Sequence, residues 1–304
     1  MKKIFHSVRE YLTDLDPLTA AVFILYTAIL VFLNYYFGIN KYITRLDVAK
    51  EYPLWSLLFC CSFVLPYSWI LYFNKKHHVL KWRFVLMLMA APLIFGWKMS
   101  SKIHMRFSSD EIENAYWNVI AYWPTKLVVV LAALFIIAET TERSSMFGLR
   151  QKVPSMKPYW LMLLIMLPLI ALASLQPDFL DMYPKFQNLK FLQLQGWFHR
   201  LLFELSYGSD FIGIEMFFRG FLILSFAKYV GKDAILPMAV FYCTIHFGKP
   251  LAECISSFFG GIVLGIITFH TRSILGGLLV HLGIAWLMEL GGFLGNLHLH
   301  HVRL

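Results

Sequence analysis

Four ionisable side chains lie inside long apolar runs in the C-terminal third of the sequence: Glu215, Arg219, His246 and His281. An ionisable group at the centre of a membrane helix costs about 2.5–3.5 kcal/mol on insertion scales, so such groups usually face the protein interior and mark function. A carboxylate can remove a proton from water, an imidazole can hold a water molecule or a metal ion, and a guanidinium can hold the carboxylate or an oxyanion. We therefore predict these four residues as catalytic.

Each residue also has a simpler interpretation. Glu215 and Arg219 are four residues apart, with the acid first, which favours an ion pair on one helix face. A single buried histidine is more often a neutral side chain bonded to a carbonyl than a ligand, and this applies to His246 and to His281. The set of four favours a site only if their three segments pack together, which nearness in the sequence makes plausible.

Two histidines and one carboxylate have the ligand count of an open zinc site. Zinc is therefore a candidate cofactor, with His246 and His281 as candidate metal ligands, although the count leaves water binding open as well. The sequence contains no HExxH motif, so composition alone does not fix the metal.

The composition places these residues in a membrane. Hydrophobic residues make up 59% of the 304 residues and charged residues only 15%, against about a quarter in soluble domains. About 20 apolar residues span a bilayer as a helix, and uninterrupted apolar runs exclude a β-barrel. We predict an all-α polytopic membrane bundle of eight or nine transmembrane helices. The candidate spans are Leu18–Phe37, Leu54–Phe73, Trp82–Trp97, Val119–Ala138, Tyr159–Leu175, Trp197–Tyr229, Ala234–Phe247, Leu251–Phe269 and Ile274–Leu294.

The net charge of +9 is assigned to loops that face the cytoplasm rather than to nucleic-acid binding. The loops 74–83 and 139–157 each contain four Lys or Arg residues and lie on one side if the spans alternate. This predicts a multi-pass protein of the cell membrane with its N-terminus inside and membrane lipids as partners. The four cysteines lie in apolar segments, so no disulfide is predicted.

The polar, proline-containing stretch Leu175–Gln195 suggests a division of the chain. We predict an N-terminal membrane region of about five helices over residues 1–195. The four candidate residues then belong to a core over residues 196–292, which a polar tail follows over residues 293–304.

The core resembles the CPBP intramembrane proteases, a family that includes CAAX prenyl endopeptidases and bacteriocin-processing enzymes and has the motifs EExxxR, FxxxH and HxxxN. Ile214–Arg219 matches the first motif at its second Glu and its Arg, and Tyr242–His246 matches the second with Tyr for Phe. His281–Ala285 matches the third at its His. The segment Phe147–Arg150, FGLR, is also similar to the family. The resemblance covers roughly Trp197–Gly292.

Two positions differ from the family motifs. The first Glu, assigned in the family as the water-activating base, is Ile214, and the Asn of the third motif is Ala285. Successive helix positions differ by about 100°, so Glu215 does not point where a carboxylate at 214 would. Three alternatives follow: a helix distortion turns Glu215 inward, Asp210 acts from one turn earlier, or the base is missing.

The resemblance implies an intramembrane endopeptidase that hydrolyses a peptide bond of a hydrophobic or lipidated substrate near the membrane. In that case His246 and His281 bind the attacking water or zinc, and Glu215 is the base or a support held by Arg219. The alternative is a non-catalytic member of the fold that binds a peptide or a partner protein.

Overall fold

The computed structural model describes residues 2–141, 146–149, 151, 153, 155–189 and 196–302. These residues form helices and connecting turns, and they include no β-strand. The α-helices are α1 Lys2–Thr13, α2 Pro17–Phe37, α3 Ile39–Ile43, α4 Val48–Phe73, α5 Trp82–Ser100, α6 Glu111–Thr141, α7 Lys157–Ala173, α8 Pro177–Met182, α9 Trp197–Glu215, α10 Ala227–Val230, α11 Ile235–Thr244, α12 Leu251–Thr271 and α13 Leu275–Val302. A π-helix occupies Met216–Ser225, and short 3₁₀ helices occupy His77–Val79, Met146–Gly148, Lys185–Asn188 and Gly231–Ala234.

Six of these helices are long and apolar enough to cross a membrane: α2, α4, α5, α6, α12 and α13 up to Leu297. Their outward side chains are apolar, as lipid contact requires, with Leu25, Val128 and Phe135 between 62% and 64% exposed. The all-helical fold and the membrane character predicted from the sequence are confirmed. The predicted number of eight or nine spans is not, because only six described helices meet these criteria.

The difference in number arises at three predicted spans. Tyr159–Leu175 corresponds to α7, which has 17 residues and is a shorter apolar helix. Trp197–Tyr229 is divided among α9, the π-helix and α10. Ala234–Phe247 contains only the ten residues of α11, since the chain turns after Thr244.

Two of the spans, α2 and α4, have an aspartate as the N-cap residue. Asp16 accepts a hydrogen bond from the Thr19 backbone N–H at 2.8 Å, and Asp47 accepts one from Lys50 at 3.1 Å. These bonds satisfy amides that have no partner within the helix. They also hold the pKa of both carboxyl groups below the usual aspartate value.

The chain forms two compact units. The first, called the EMFFRG unit because it contains that sequence, comprises Met1–Ser101, Val130–Val153 and Glu215–Leu275. The second, called the His281 unit, comprises Lys102–Val129, Pro154–Ile214 and Gly276–Leu304.

Several sequence predictions fall partly outside the described ranges. The predicted boundary at residues 195 and 196 adjoins residues 190–195, and the basic loop at 139–157 includes residues 142–145, 150, 152 and 154. The orientation of the chain and its division at 195 therefore stay predictions. The predicted tail contains the end of α13, which continues to Val302.

In the EMFFRG unit, aromatic rings surround the π-helix. Phe95 of α5 contacts Phe218 with ring centroids 5.1 Å apart, and Phe241 of α11 contacts the same ring at 5.3 Å. Phe59 of α4 lies 4.9 Å from Phe241. These rings are fully buried, so α5 and α11 pack directly against the π-helix, and α4 packs against α11.

In the His281 unit, α9 packs between α6 and α13. Pro124 has no N–H, so the carbonyl of Ile120 lacks its usual partner one turn later in α6. The Ser206 hydroxyl of α9 donates to that carbonyl at 2.6 Å. On the other side of α9, the absence of a side chain at Gly208 gives room to Leu282 and Trp286 of α13.

Candidate active site

Glu215 and Arg219 lie at a change of helix type. Glu215 is the last residue of α9, and Arg219 is the fourth residue of the π-helix that follows. A π-helix has i→i+5 hydrogen bonds, is rare, and frequently occurs at functional sites. Both side chains are completely buried. A change of helix type therefore directly follows the buried Glu215, while the choice among the three alternatives for the base stays a prediction.

The carboxylate of Glu215 forms an ion pair with Arg219. Glu215 Oε1 lies 3.3 Å from Arg219 Nη1, and neither side chain has any exposed surface. The simpler interpretation of the i,i+4 spacing is thus correct. A carboxylate whose oxygen already contacts a buried guanidinium is arranged as a support for that guanidinium.

Tyr242 connects this ion pair to His246. The Arg219 guanidinium lies over the Tyr242 ring, 4.2 Å from its centroid, in cation–π geometry. The Tyr242 ring in turn contacts the His246 ring at a centroid distance of 4.8 Å. Residues of the first two sequence motifs therefore form one continuous series of contacts, from Glu215 through Arg219 and Tyr242 to His246.

The hydrogen bond of His246 places a proton at Nδ1. Its Nδ1 lies 2.8 Å from the carbonyl oxygen of Tyr242. A carbonyl only accepts hydrogen bonds, so Nδ1 carries a proton and donates it to this bond. His246 is only partly buried, unlike Glu215 and Arg219. A neutral imidazole with its proton at Nδ1 can accept a hydrogen bond or a proton from water at Nε2.

A sharp turn holds His246 just beyond the end of α11. The Lys249 N–H donates to the His246 carbonyl at 3.0 Å, and Gly248 has a φ of +91°, which favours glycine. A Cβ at Gly248 would also lie 2.4 Å from the side-chain nitrogen of Asn40. The Asn40 N–H itself donates to Asn34 Oδ1 at 2.9 Å. The buried amide of Asn34 thus positions the segment against which the histidine turn packs.

Phe147 and Gly148 pack against the π-helix. An added Cβ at Gly220 would lie 2.6 Å from Phe147 Cβ and 2.8 Å from the Phe147 carbonyl oxygen. The neighbouring Gly148 carbonyl accepts a hydrogen bond from Ile274 N at 3.4 Å. Phe147 and Gly148 therefore support the helix that carries Arg219, and Arg150 lies outside the described residues.

We expect Gly220→Ala to destabilise the protein by about 1–3 kcal/mol, because the methyl group would overpack against backbone that has no room to move. Gly260→Ala is the matched control, since Gly260 is also helical and has no neighbour within 4 Å of an added Cβ. Unfolding in mixed micelles measures both variants. Equal stability of the two variants would contradict the close contact at Gly220.

His281 belongs to the His281 unit, whereas the other three predicted residues belong to the EMFFRG unit. It lies on α13, partly buried, with its ring 4.7 Å from that of Phe211 on α9. Its predicted role as a catalytic residue and metal ligand stays a prediction.

The two positions that depart from the family motifs also lie in the His281 unit. Ala285 is buried in an apolar cluster with Tyr116, Phe203, Tyr207 and Phe211. An asparagine there would put an amide among four aromatic rings, at a cost unless it found a partner. Ile214 and the alternative base Asp210 are both partly buried on α9.

A metal ion needs several donor side chains close together. Among the residues that the structure describes, no three or more His, Cys, Asp or Glu side chains gather where they could hold a metal ion. Zinc with its ligands His246 and His281 therefore stays a prediction.

Four buried ionisable residues among those the structure describes were not predicted from the sequence, namely Glu51, Lys98, Lys126 and Glu289, and neither was the role of one tyrosine. Lys126 lies in α6, 2% exposed, and its ammonium group donates to the Tyr122 hydroxyl. It falls inside the predicted span Val119–Ala138, so the signal that identified Glu215 also applied to it. Tyr242 was matched only as a motif position, although its ring and carbonyl are what join Arg219 to His246.

A comparison with protein families covers the same part of the chain. Residues 201–287 match the family described as type II CAAX prenyl endopeptidase Rce1-like. The similarity to this Rce1-like family therefore lies in the C-terminal region of the chain. The matched segment includes Glu215, Arg219, His246 and His281, and it makes up less than a third of the chain. No curated protein and no solved structure matches the chain. The Rce1-like region therefore supports a membrane protein of the CAAX-protease type.

Proposed function

We propose that this protein is an intramembrane endopeptidase of the CAAX-protease type, which hydrolyses a peptide bond of a hydrophobic or lipidated substrate near the membrane. The observation that carries the proposal is the buried series Glu215, Arg219, Tyr242 and His246, within an Rce1-like region. This series of contacts ends at the partly exposed imidazole of His246, whose Nδ1–H is bonded to the Tyr242 carbonyl.

In this proposal His246 acts directly on the water. Its Nδ1–H remains bonded to the Tyr242 carbonyl, while Nε2 accepts a proton from the water that attacks the scissile carbonyl. The same proton then passes to the leaving amine. Glu215 and Arg219 hold the Tyr242 ring and so orient the imidazole, while His281 is proposed as the second histidine at the water.

A second candidate is a non-catalytic membrane protein that binds a peptide or a partner. Two observations favour it: the Glu215 carboxylate is already paired with Arg219, and Ile214 stands where the related proteases have their base. This candidate shares the scaffold and the substrate class with the first, and differs only in the absence of turnover.

The test uses the full-length protein in nanodiscs with a lipidated peptide and its unmodified apolar counterpart. We expect the wild type to cleave at least one of them, which mass spectrometry of the products detects. Binding without cleavage would favour the second candidate.

The variant Ile214→Glu/Ala285→Asn restores both motif residues, and its folding must be measured because residue 285 is buried among aromatic rings. Cleavage by this variant together with none by the wild type would overturn the endopeptidase proposal.

A further inference from the structure

The first helix, α1, has an apolar stripe that the protein covers only in part. Tyr11 is 4% exposed and forms a buried cluster with Ile235 and Ile266, against which Val8 also packs. Phe5 and Leu12, in contrast, are 73% and 57% exposed. They are seven residues apart and so share one side of the helix, next to the covered face. The side of α1 that bears Phe5 and Leu12 therefore lacks a covering element in the described residues.

The charges on α1 are predominantly positive. Residues 2–13 contain two lysines and one arginine against the single acid Glu10. At 100° per residue, Arg9 lies beside Phe5 and Leu12 on the helix, whereas Glu10 and His6 lie farther around, 4.0 Å from each other. A positive charge at the edge of an open apolar stripe is complementary to a surface with apolar chains below anionic phosphates.

The position of α1 brings it to such a surface. The helix ends at Thr13, and the first membrane-spanning helix begins at Pro17. Asp14, between them, forms a 2.8 Å ion pair with Lys232, which fixes the connection. A helix joined to a span by three residues and packed against the protein through Tyr11 lies at the level where that span leaves the lipid.

We propose that α1 is an interfacial helix that binds anionic phospholipid, with Phe5 and Leu12 among the acyl chains and Arg9 at the phosphates. Its covered face contacts Ile235, the first residue of the helix that carries Tyr242, and Ile266 of α12. Anionic lipid therefore stabilises the corner of the EMFFRG unit where α1, α11 and α12 meet, whether or not the protein is an enzyme.

The first measurement is the depth of spin labels on the full-length protein in nanodiscs. The background variant Cys60→Ala/Cys61→Ala removes the two partly exposed cysteines, and Cys243 and Cys254 are buried. Single labels replace Phe5, Leu12, His6 or Glu10. We expect labels at 5 and 12 to collide with oxygen several-fold more often than with a water-soluble nickel chelate, and labels at 6 and 10 to show the reverse. Equal accessibility at all four positions, or exclusion of both reagents at 5 and 12 by a second protein surface, would overturn the proposal.

The second measurement tests the charge. In nanodiscs of phosphatidylcholine with added phosphatidylglycerol, we expect the label at position 5 to lie deeper than in phosphatidylcholine alone. The variant Lys2→Gln/Lys3→Gln/Arg9→Gln should lose this shift. Its matched control, Lys41→Gln/Arg45→Gln/Lys50→Gln, removes three positive charges beyond the other end of α2 and should keep it. An unchanged shift in the α1 variant would contradict recognition of the anionic headgroup.

Discussion

Replacing His246 with alanine is expected to lower the rate of peptide cleavage by about 10²–10⁴-fold, the range lost when a positioned acid–base group is removed. The fold should tolerate the change, because the side chain is partly exposed and lies in a turn beyond the end of α11. Cleavage of the lipidated or apolar peptide by the purified variant measures the effect.

Two substitutions separate the chemistry of His246 from its structural contact. Asparagine can place an N–H where Nδ1 lies and keep the bond to the Tyr242 carbonyl, but it has no counterpart of Nε2. We expect His246→Asn to be as inactive as His246→Ala yet close to the wild type in thermal stability. His270→Ala is the control, since His270 is exposed near the end of α12. Wild-type rates in His246→Asn would exclude a role for Nε2.

Breaking the Glu215–Arg219 pair is expected to cause the largest loss of stability. Both side chains are completely buried, and removing one partner leaves an uncompensated charge, which typically costs about 3–5 kcal/mol. We therefore expect Glu215→Gln and Arg219→Met each to destabilise the protein by that amount. Unfolding by sodium dodecyl sulfate in mixed micelles measures the free energy.

The double variant Glu215→Gln/Arg219→Met identifies the cause. With both charges removed, the loss should be smaller than the sum of the two single losses, because no unpaired ion remains in the interior. Glu10→Gln is the control for an exposed pair, and we expect a change of about 0–1 kcal/mol there. Additive losses would show that the two side chains do not act as a pair.

The helices that the sequence predicted best are those with clear signals at their ends. The span predicted from Leu18 to Phe37 is α2, Pro17–Phe37, where Asp16 caps the first turn and Gly38 follows the last. The span predicted from Trp82 is α5, which continues three residues farther to Ser100. Apolar length and capping residues are local properties, so the sequence contains them.

Apolar length and capping residues do not predict the π-helix. Its residues are as apolar as those of an α-helix, and the wider turn depends on contacts with distant segments. Gly220 lies against Phe147, which is more than seventy residues earlier, and Phe218 lies between Phe95 and Phe241. Tertiary packing of this kind leaves no periodic pattern in the sequence. For that reason an inward turn of Glu215 was only one of three alternatives for the base.

The candidate site was predicted in part. The spacing of Glu215 and Arg219 correctly indicated their ion pair, and the motif spacing placed Tyr242 before His246. The connection between the two motifs, a guanidinium stacked on a phenol ring, could not be read from spacing, because it depends on how α11 packs against the π-helix. Lys126 lies inside a predicted span, so its position in the sequence was enough to identify it as a buried charge.

The most direct test of the central claim is peptide hydrolysis in ¹⁸O-labelled water by the full-length wild-type protein in nanodiscs. We expect the wild type to release two product peptides, with one ¹⁸O atom in the new carboxylate and none in the new amine. We expect no products from His246→Asn. If the wild type binds the peptide but leaves it intact and free of ¹⁸O after prolonged incubation, the proposed hydrolysis is contradicted.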